Sequence, residues 1–301
     1  MKVSRARLLL SLGVGIVAIS FASIFIRFAQ DEGVPSLSIA AWRLIIASVV
    51  LLPYAWATRR AEIRSLTGRE WGLLLASGLF LGLHFATWIA SLALTSVASS
   101  VVLVSMGPVF VGLGSWLLLR ERPSLALGAG IVLAAVGSII IGSGDLGQGK
   151  DQLLGDLLAL TGAVMVAGYF MIGRKVRAHR SLTTYVALVY GAAMVVLVAI
   201  VLVTRQPMTG FSLEAYAWLL ALGLVPQLIG HSTLNWALRH LSATFVSILT
   251  LSEPIGSGTL AFVILGEAVT LSTMAGGVLV LVGIYVASRA EISPTEQQGR
   301  K

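Results

Sequence analysis

The chain has 301 residues, of which 57% are hydrophobic and 11% are charged, and its mean hydropathy is +0.93. Because soluble domains carry about 25% charged residues, this composition favours a polytopic membrane protein over a soluble globular one. The absence of cysteine excludes disulfides, thiol chemistry and cysteine-ligated metals. The net charge of +8 is typical of basic loops beside a membrane, so we expect no nucleic-acid partner.

Ten apolar runs follow one another along the chain, each near the length of about 20 residues that a membrane helix needs. They cover roughly 8–28, 36–57, 71–91, 96–118, 124–143, 153–173, 183–204, 214–234, 243–264 and 271–289. The first run follows basic residues, as in a signal peptide, but it is long for one and no clear small-residue cleavage site follows, so we expect a retained helix. The polar segment 291–301 predicts a disordered cytoplasmic tail. The predicted fold is an all-α membrane protein with ten transmembrane helices.

The basic residues orient these helices. With a cytoplasmic N-terminus, 17 of the 21 basic residues fall on the cytoplasmic side, three fall outside, and Arg43 lies within a span. Basic residues concentrate in the cytoplasmic loops of membrane proteins. We therefore expect both termini in the cytoplasm and the chain in a bacterial-type cytoplasmic (inner) membrane.

The two halves of the chain are related by a shift of 146 residues, which aligns 92–141 with 238–287 without a gap and with 14 identities in 50 positions. The matched pairs include Pro108 and Pro254, Glu121 and Glu267, Gly112 and Gly258, Gly130 and Gly276, and Gly137 and Gly283. We predict one five-helix repeat over 1–145 and a second over 150–290. Because five is an odd number, the second repeat enters the membrane from the opposite side, and such inverted repeats are a recurring transporter design.

The stretches "SMGPVFVGLGSWLLLRERPSLALGAGIVLAAVG" and "LSEPIGSGTLAFVILGEAVTLSTMAGGVLVLVGI" resemble the paired motifs of EamA-type transporters in the drug/metabolite transporter superfamily. Within that family the chain is most similar to the YddG-type exporters of aromatic and neutral amino acids. The resemblance implies a ten-helix 5+5 inverted repeat. It also implies a secondary transporter that works by alternating access, with its substrate site between the halves.

The repeated prolines predict bends in the fourth and ninth helices, because a proline inside a helix removes a backbone hydrogen bond. Pro108 and Pro254, with Gly107 and Gly256 beside them, are candidate hinges, and a static kink used for packing is the alternative. The repeated acids have a structural interpretation, since a carboxylate between two helices can cap the second one. These capping candidates are Glu121 and Glu267.

Two charged residues lie within predicted spans. Glu253 has Gly107 as its counterpart in the first repeat, so the shared architecture does not require it. It is a candidate for binding a substrate ammonium group or carrying a coupling proton, and the alternative is a neutral acid that braces the bend. Arg43 is a candidate for a substrate carboxylate, but the preferred interpretation is that it reaches outward to pair with Asp31 or Glu32.

Polar side chains line one face of the third helix and one face of its counterpart, the eighth. The stripes are His84, Thr87, Trp88 and Ser91 in the third helix and Gln227, His231 and Asn235 in the eighth. Residues at such helical spacing share a face, so we predict a common wet cavity in which Trp88 contacts a planar ligand and the histidines and amides orient it. Hydrogen bonding between helices is the alternative. Tyr169 is a weaker candidate for the same cavity.

These features favour a non-ATP secondary transporter that exports small metabolites, with aromatic or neutral amino acids as the expected substrates and drug-like cations or other metabolites as the alternative. The sequence has no phosphate-binding loop for ATP and no selectivity ring of the kind that channels need. An intramembrane enzyme built on Ser257 has little support. We expect no cofactor and no metal, a lipid bilayer and a small-molecule substrate as partners, and an assembly compatible with a monomer.

Overall fold

The structure is a computed structural model, and it describes residues 4–95, 100, 103–119, 124–142, 151–265 and 271–292. Within these residues the chain is all-helical, and contiguous helical segments make up ten helices. They are α1 Arg5–Asp31, α2 Ser36–Arg64, α3 Gly68–Ser91, α4 Gly107–Leu119, α5 Leu125–Gly142, α6 Gln152–Arg177, α7 Leu182–Val203, α8 Leu213–Ala237, α9 Ala243–Ile264 and α10 Leu271–Ile292.

Seven of these helices are long and apolar enough to cross a membrane, and α5 and α10 contain shorter apolar stretches. The predicted ten-helix membrane fold is therefore confirmed. Helix α2 continues to Arg64, beyond its predicted span, and α10 continues to Ile292. The first two residues of the predicted disordered tail are thus helical, and the rest of that tail lies outside the described residues.

Six of the described helices begin at a hydroxyl side chain that accepts a hydrogen bond from the backbone N–H three residues later. Such caps satisfy one of the backbone donors that a helix leaves free at its start. The cap of α3 is a capping box, because Glu70 also accepts from the backbone of the capping residue. The capping residues are Ser4, Thr67, Ser124, Ser181, Ser212 and Ser242.

The helices pack as two related sets of five. Helices α2, α4 and α5 contact their own counterparts α7, α9 and α10, and α3 packs on α6 as α8 packs on α1. The repeated glycines explain the α5–α10 contact. A Cβ atom added at Gly130 would lie 2.7 Å from the carbonyl oxygen of Gly283, and one added at Gly137 would lie 2.6 Å from that of Gly276. The two contacts are equivalent, because the shift of 146 residues relates Gly130 to Gly276 and Gly137 to Gly283. Such close approach of two helices requires small residues.

Helices α4 and α9 are interrupted at matching places. Residues 105 and 106 form a turn before α4, and a single 3₁₀ turn, Thr250–Ser252, divides α9 146 residues later. Pro108 and Pro254 are each the second residue of the α-helical segment that follows. The predicted mid-helix proline kink is therefore wrong in detail. Proline is well tolerated in the first turn of a helix, where no donor is lost, and the bend lies just upstream of it.

Polar contacts tie the repeats together at both ends of the bundle. At the end predicted to be cytoplasmic, Arg180 in the α6–α7 connection pairs with Glu70 of α3 at 2.6 Å. At the other end, Trp42 of α2 donates from Nε1 to the backbone oxygen of Met208 in the α7–α8 connection at 2.9 Å. The space between the repeats is therefore bounded at each end by contacts between them.

Candidate functional site

An internal cavity lies between the two repeats, where α1, α2, α3, α6, α8 and α9 meet the residues that precede α4. About 60 Å³ of it is open to the centres of water molecules. One water needs about 10–15 Å³ on this measure, so the cavity has room for a few waters. The lining residues are Ile19, Ala22, Arg43, His84, Trp88, Val104, Ser105, Val166, Phe170, His231, Leu234, Thr250 and Glu253.

Arg43 is fully buried in α2 and lines this cavity. Its Nε donates to Oε1 of Gln227 in α8 at 2.7 Å, and its guanidinium lies 4.2 Å from the ring centroid of Phe85 in α3. The predicted outward pairing with Asp31 or Glu32 is wrong. A charge buried next to an aromatic face and an amide oxygen is partly compensated there, so the side chain stays inside the bundle.

Several polar atoms of the lining residues have no hydrogen-bond partner among the described residues. They are Nη1 and Nη2 of Arg43, Nε1 of Trp88 and Nδ1 of His231. Buried polar groups are rarely left unpaired, because each unsatisfied group costs about 1–3 kcal/mol and a charged group more. The arginine and tryptophan atoms are donors only. This part of the cavity wall therefore offers free donors to an acceptor that enters.

Glu253 lines the same cavity and is the first residue of the α-helical segment after the 3₁₀ turn in α9. Its carboxylate therefore lies at a helix N-terminus, which favours negative charge. No ion pair within 4.0 Å joins the described side chains of Arg43 and Glu253. Arg43 and Glu253 thus share one cavity without direct contact, and each charge remains available to a third group.

The α3 stripe is divided between the cavity and the helix itself. His84 and Trp88 line the cavity, with their rings stacked 5.9 Å apart, and Nδ1 of His84 lies 2.9 Å from the backbone oxygen of Gly162 in α6. Thr87 and Ser91 instead donate to backbone oxygens of α3 at 2.8 and 2.7 Å. The predicted stripe thus supplies two aromatic groups to the cavity and two hydroxyls to its own helix.

The α8 stripe is divided in a similar way. His231 lines the cavity and packs edge-on against Phe85, with ring centroids 5.3 Å apart. Gln227 and Asn235 do not line it. Asn235 donates to the hydroxyls of Tyr169 and Tyr190 in a fully buried network. Of the predicted substrate-binding residues, the structure brings Arg43, His84, Trp88, His231 and Glu253 to the cavity and places Gln227, Asn235 and Tyr169 behind its wall.

The sequence did not indicate eight of the thirteen residues that line the cavity, and four of these eight show why. Phe170 and Thr250 line the cavity, as do Val104 and Ser105 from the residues before α4. One signal was present: Thr250 stands 146 residues after Val104, so the repeat places both just before the paired prolines. Phe170 carried no such signal, because it is one apolar residue among many in α6.

The remaining candidates fall outside the cavity. Gly107 packs against α6, where an added Cβ would lie 3.2 Å from Cγ1 of Val166, and Gly256 packs against Ser20 of α1. The hydroxyl of Ser257 donates to the backbone oxygen of Ser20 at 3.2 Å, which is a contact between helices. The predicted capping acids Glu121 and Glu267 lie outside the described residues.

His240 lies in the α8–α9 connection. Its ring centroid is 4.9 Å from that of Trp236. Burial, together with the positive charges of Arg239 and Arg177, lowers the pKa of His240 below its ordinary value. His240 is therefore an exposed ring beside a basic cluster.

Comparison with known proteins agrees with this architecture. Residues 7–143 and 153–289 each match the model of the EamA-like transporter family. An uncharacterized transporter of Archaeoglobus fulgidus is 28% identical over 293 residues, covering 95% of this chain and 98% of that protein. The pseudopaline exporter CntI of Pseudomonas aeruginosa is 28% identical over 219 residues, covering 73% and 75%. One crystal structure of 19% sequence identity superposes with a TM-score of 0.77 over 95% of this chain and 98% of its own, which shows the shared fold.

Proposed function

The chain belongs to the EamA-like transporter family, and from that premise we propose that it is a secondary exporter of small zwitterionic metabolites, with neutral and aromatic amino acids as the expected class. Membership makes the chain a multi-pass membrane transporter rather than an enzyme. The substrate class, the direction and the site residues are the proposed part, and they rest on the chemistry of the cavity.

One observation supports the proposed substrate class. The buried guanidinium of Arg43, with two unpaired nitrogens, shares the cavity with the separate carboxylate of Glu253. Arg43 suits a carboxylate, because guanidinium and carboxylate can form two parallel hydrogen bonds. Glu253 suits an ammonium group. A ligand that carries both groups would pair with the buried Arg43 and the half-buried Glu253 at once, and an unpaired buried charge is costly. Zwitterions such as amino acids have this pair of groups.

Aromatic side chains support the further preference for aromatic or neutral side chains on the ligand. Trp88, His84 and Phe170 line the cavity, and flat aromatic surfaces pack well on planar ligands. The unpaired Nε1 of Trp88 is an additional donor. A ligand with a second net charge would find no matching group among the described lining residues.

The small size of the cavity supports alternating access. The cavity volume of about 60 Å³ is much less than the roughly 300–1,000 Å³ of a typical ligand pocket. The helices must therefore separate for a substrate to enter. The interruptions before Pro108 and Pro254, with Gly107 and Gly256 beside them, are the places where we propose that α4 and α9 bend.

Orientation and direction are proposed on two grounds. The 17-to-3 distribution of basic residues supports cytoplasmic termini in a bacterial-type inner membrane. A relative named for the export of pseudopaline supports outward transport. No phosphate-binding loop for ATP occurs in the sequence. We therefore propose that transport is coupled to a proton gradient or proceeds by facilitated diffusion.

The test is uptake of a panel of labelled amino acids into proteoliposomes, with and without a pH gradient. We expect saturable transport of at least one neutral or aromatic amino acid and counterflow by an unlabelled one. Arg43→Met and Glu253→Gln should each lower apparent affinity at least about 30-fold, because each leaves a buried charge of the ligand unpaired. The exposed matched controls Arg27→Met and Glu214→Gln should transport normally.

Three outcomes would count against the proposal. If wild-type protein moves no amino acid at any pH, the substrate class is wrong. If it moves organic amines instead, the cation alternative is favoured. If Arg43→Met and Glu253→Gln both transport like their controls, these residues do not form the site.

A further inference from the structure

The eighth helix is built differently from its counterpart, α3. Its middle, Gly223–His231, is π-helical, whereas α3 is α-helical throughout. A π-helix closes its hydrogen bonds over five residues instead of four, so it accommodates more residues in the same length. Such segments are rare and occur frequently at functional sites.

Contacts on either side of the π segment show that it contains one additional residue. Upstream of it, Gly78 of α3 packs on Ala192 of α7. The equivalent contact joins Gly223 of α8 to Ile46 of α2. Ile46 and Ala192 are 146 residues apart, but the two glycines are only 145 apart.

Downstream of the π segment the spacing has changed. Gly162 of α6 packs on Thr87 of α3, and Gly15 of α1 packs on Thr233 of α8. The two threonines are 146 residues apart. Between equivalent contacts, α8 therefore has one residue more than α3, and the π segment is where the structure places it.

This segment carries Gln227, whose Oε1 accepts the 2.7 Å hydrogen bond from Nε of Arg43. The counterpart of Arg43 in the second repeat is Val189, and the counterpart of Glu253 is Gly107. The helix contacts are thus repeated in both halves, but the charged pair and the amide that holds its arginine occur once. The π segment likewise has no counterpart in α3, and it carries the amide that bonds to Arg43.

We infer that Gln227, presented by the one-residue π insertion in α8, is a positioning residue that holds the Arg43 guanidinium apart from Glu253 and so keeps both charges available for a zwitterionic substrate. Opposite charges attract strongly in a poorly solvated cavity. Without a fixed partner at Nε, the guanidinium would form an ion pair with the carboxylate of Glu253. Neither charge would then be available to a substrate. The inference rests on the proposed function for its consequence in transport, but the position of Arg43 can be measured without any substrate.

The first test uses Gln227→Met, which keeps the length of the side chain and removes the acceptor. The matched control is Leu228→Met, which places the same residue one position along the π segment. L-phenylalanine and phenethylamine, which differ in the carboxylate, are the transported probes. We expect Gln227→Met to raise the apparent KM for phenylalanine about 10-fold or more, because a hydrogen bond to a charged group is lost.

A positioning role predicts three further results in the same assay. The KM for phenethylamine and the maximal rates should change less than about 2-fold, since the lost interaction acts through the carboxylate-binding arginine. Arg43→Met combined with Gln227→Met should be no worse for phenylalanine than Arg43→Met alone, because residues that act through one another are not additive. Deletion of the exposed Ile229 removes the additional residue and should reproduce the selective loss.

The second test needs no substrate. An experimental structure of Gln227→Met in lipid nanodiscs should show Arg43 within ion-pair distance of Glu253, and the Leu228→Met structure should show them apart. A guanidinium unmoved in Gln227→Met would overturn the inference, even if no amino acid proves to be transported. A loss of phenylalanine transport in Arg43→Met but not in Gln227→Met would also overturn it and leave the proposed function standing. Equal loss for both probes would indicate general damage and would contradict a positioning role.

Discussion

Gly256 of α9 lies against Ser20 of α1 beside the cavity, and the contact leaves no room for a methyl group. A Cβ added at Gly256 would lie 2.7 Å from Cβ of Ser20 and closer still to its hydroxyl, whereas Cα of Ser20 is 4.0 Å away. Gly256→Ala should therefore destabilise the protein by about 1–3 kcal/mol, the usual cost of overpacking. Ser20→Gly removes both clashing atoms and should itself cost about 0.5–1 kcal/mol, because glycine weakens a helix.

The double variant gives the decisive comparison. With Ser20→Gly present, adding Gly256→Ala should cost almost nothing, so the two changes should be coupled by about 1–3 kcal/mol. The assay is reversible unfolding in mixed micelles of increasing SDS content. Gly13→Ala in α1, where an added Cβ meets nothing within 4 Å, is the control and should be neutral or stabilising. Additive losses from Gly256→Ala and Ser20→Gly would refute this account of the α1–α9 contact.

Two further predictions concern the repeat and the excluded enzyme. Gly130→Ala should destabilise the protein by about 1–3 kcal/mol in the same unfolding assay, because its methyl group would meet the backbone of α10. The control Gly128→Ala has open space around it and should not destabilise the protein. Equal effects of the two variants would contradict the close α5–α10 contact. Ser257→Ala should leave amino-acid uptake into proteoliposomes within about 2-fold of wild type, because losing one hydrogen bond between membrane helices costs little. Abolished uptake at normal expression would contradict a purely structural role for this hydroxyl.

Much of the fold could be predicted from the sequence, because bilayer thickness and the repeat act on long stretches of chain. Ten apolar runs of the required length could only be helices. The glycine pairs were visible as identities 146 residues apart, and the structure shows their cause at the α5–α10 contact, where Gly130 meets the carbonyl of Gly283.

The side-chain directions at the site could not be predicted in the same way. Arg43 lies in a helix with apolar residues all around it, so the sequence did not indicate which face it occupies. Gln227 and His231 are four residues apart, and a 3.6-residue period places them on one face. The π segment changes that period, so His231 lines the cavity while Gln227 bonds to Arg43 behind its wall. A local change of helix type is invisible to periodicity.

The central claim is that Arg43 and Glu253 bind the two charged groups of one substrate. Its most direct measurement is binding of L-phenylalanine, phenethylamine and 3-phenylpropionate, which carry both groups, the ammonium alone and the carboxylate alone, to wild-type protein and to Arg43→Met and Glu253→Gln. Wild type should bind phenylalanine at least about 30-fold more tightly than either truncated ligand. Arg43→Met should bind phenylalanine and phenethylamine alike, and Glu253→Gln should bind phenylalanine and phenylpropionate alike. Wild-type affinities that do not distinguish the three ligands, or variants that retain the wild-type preference, would contradict the account.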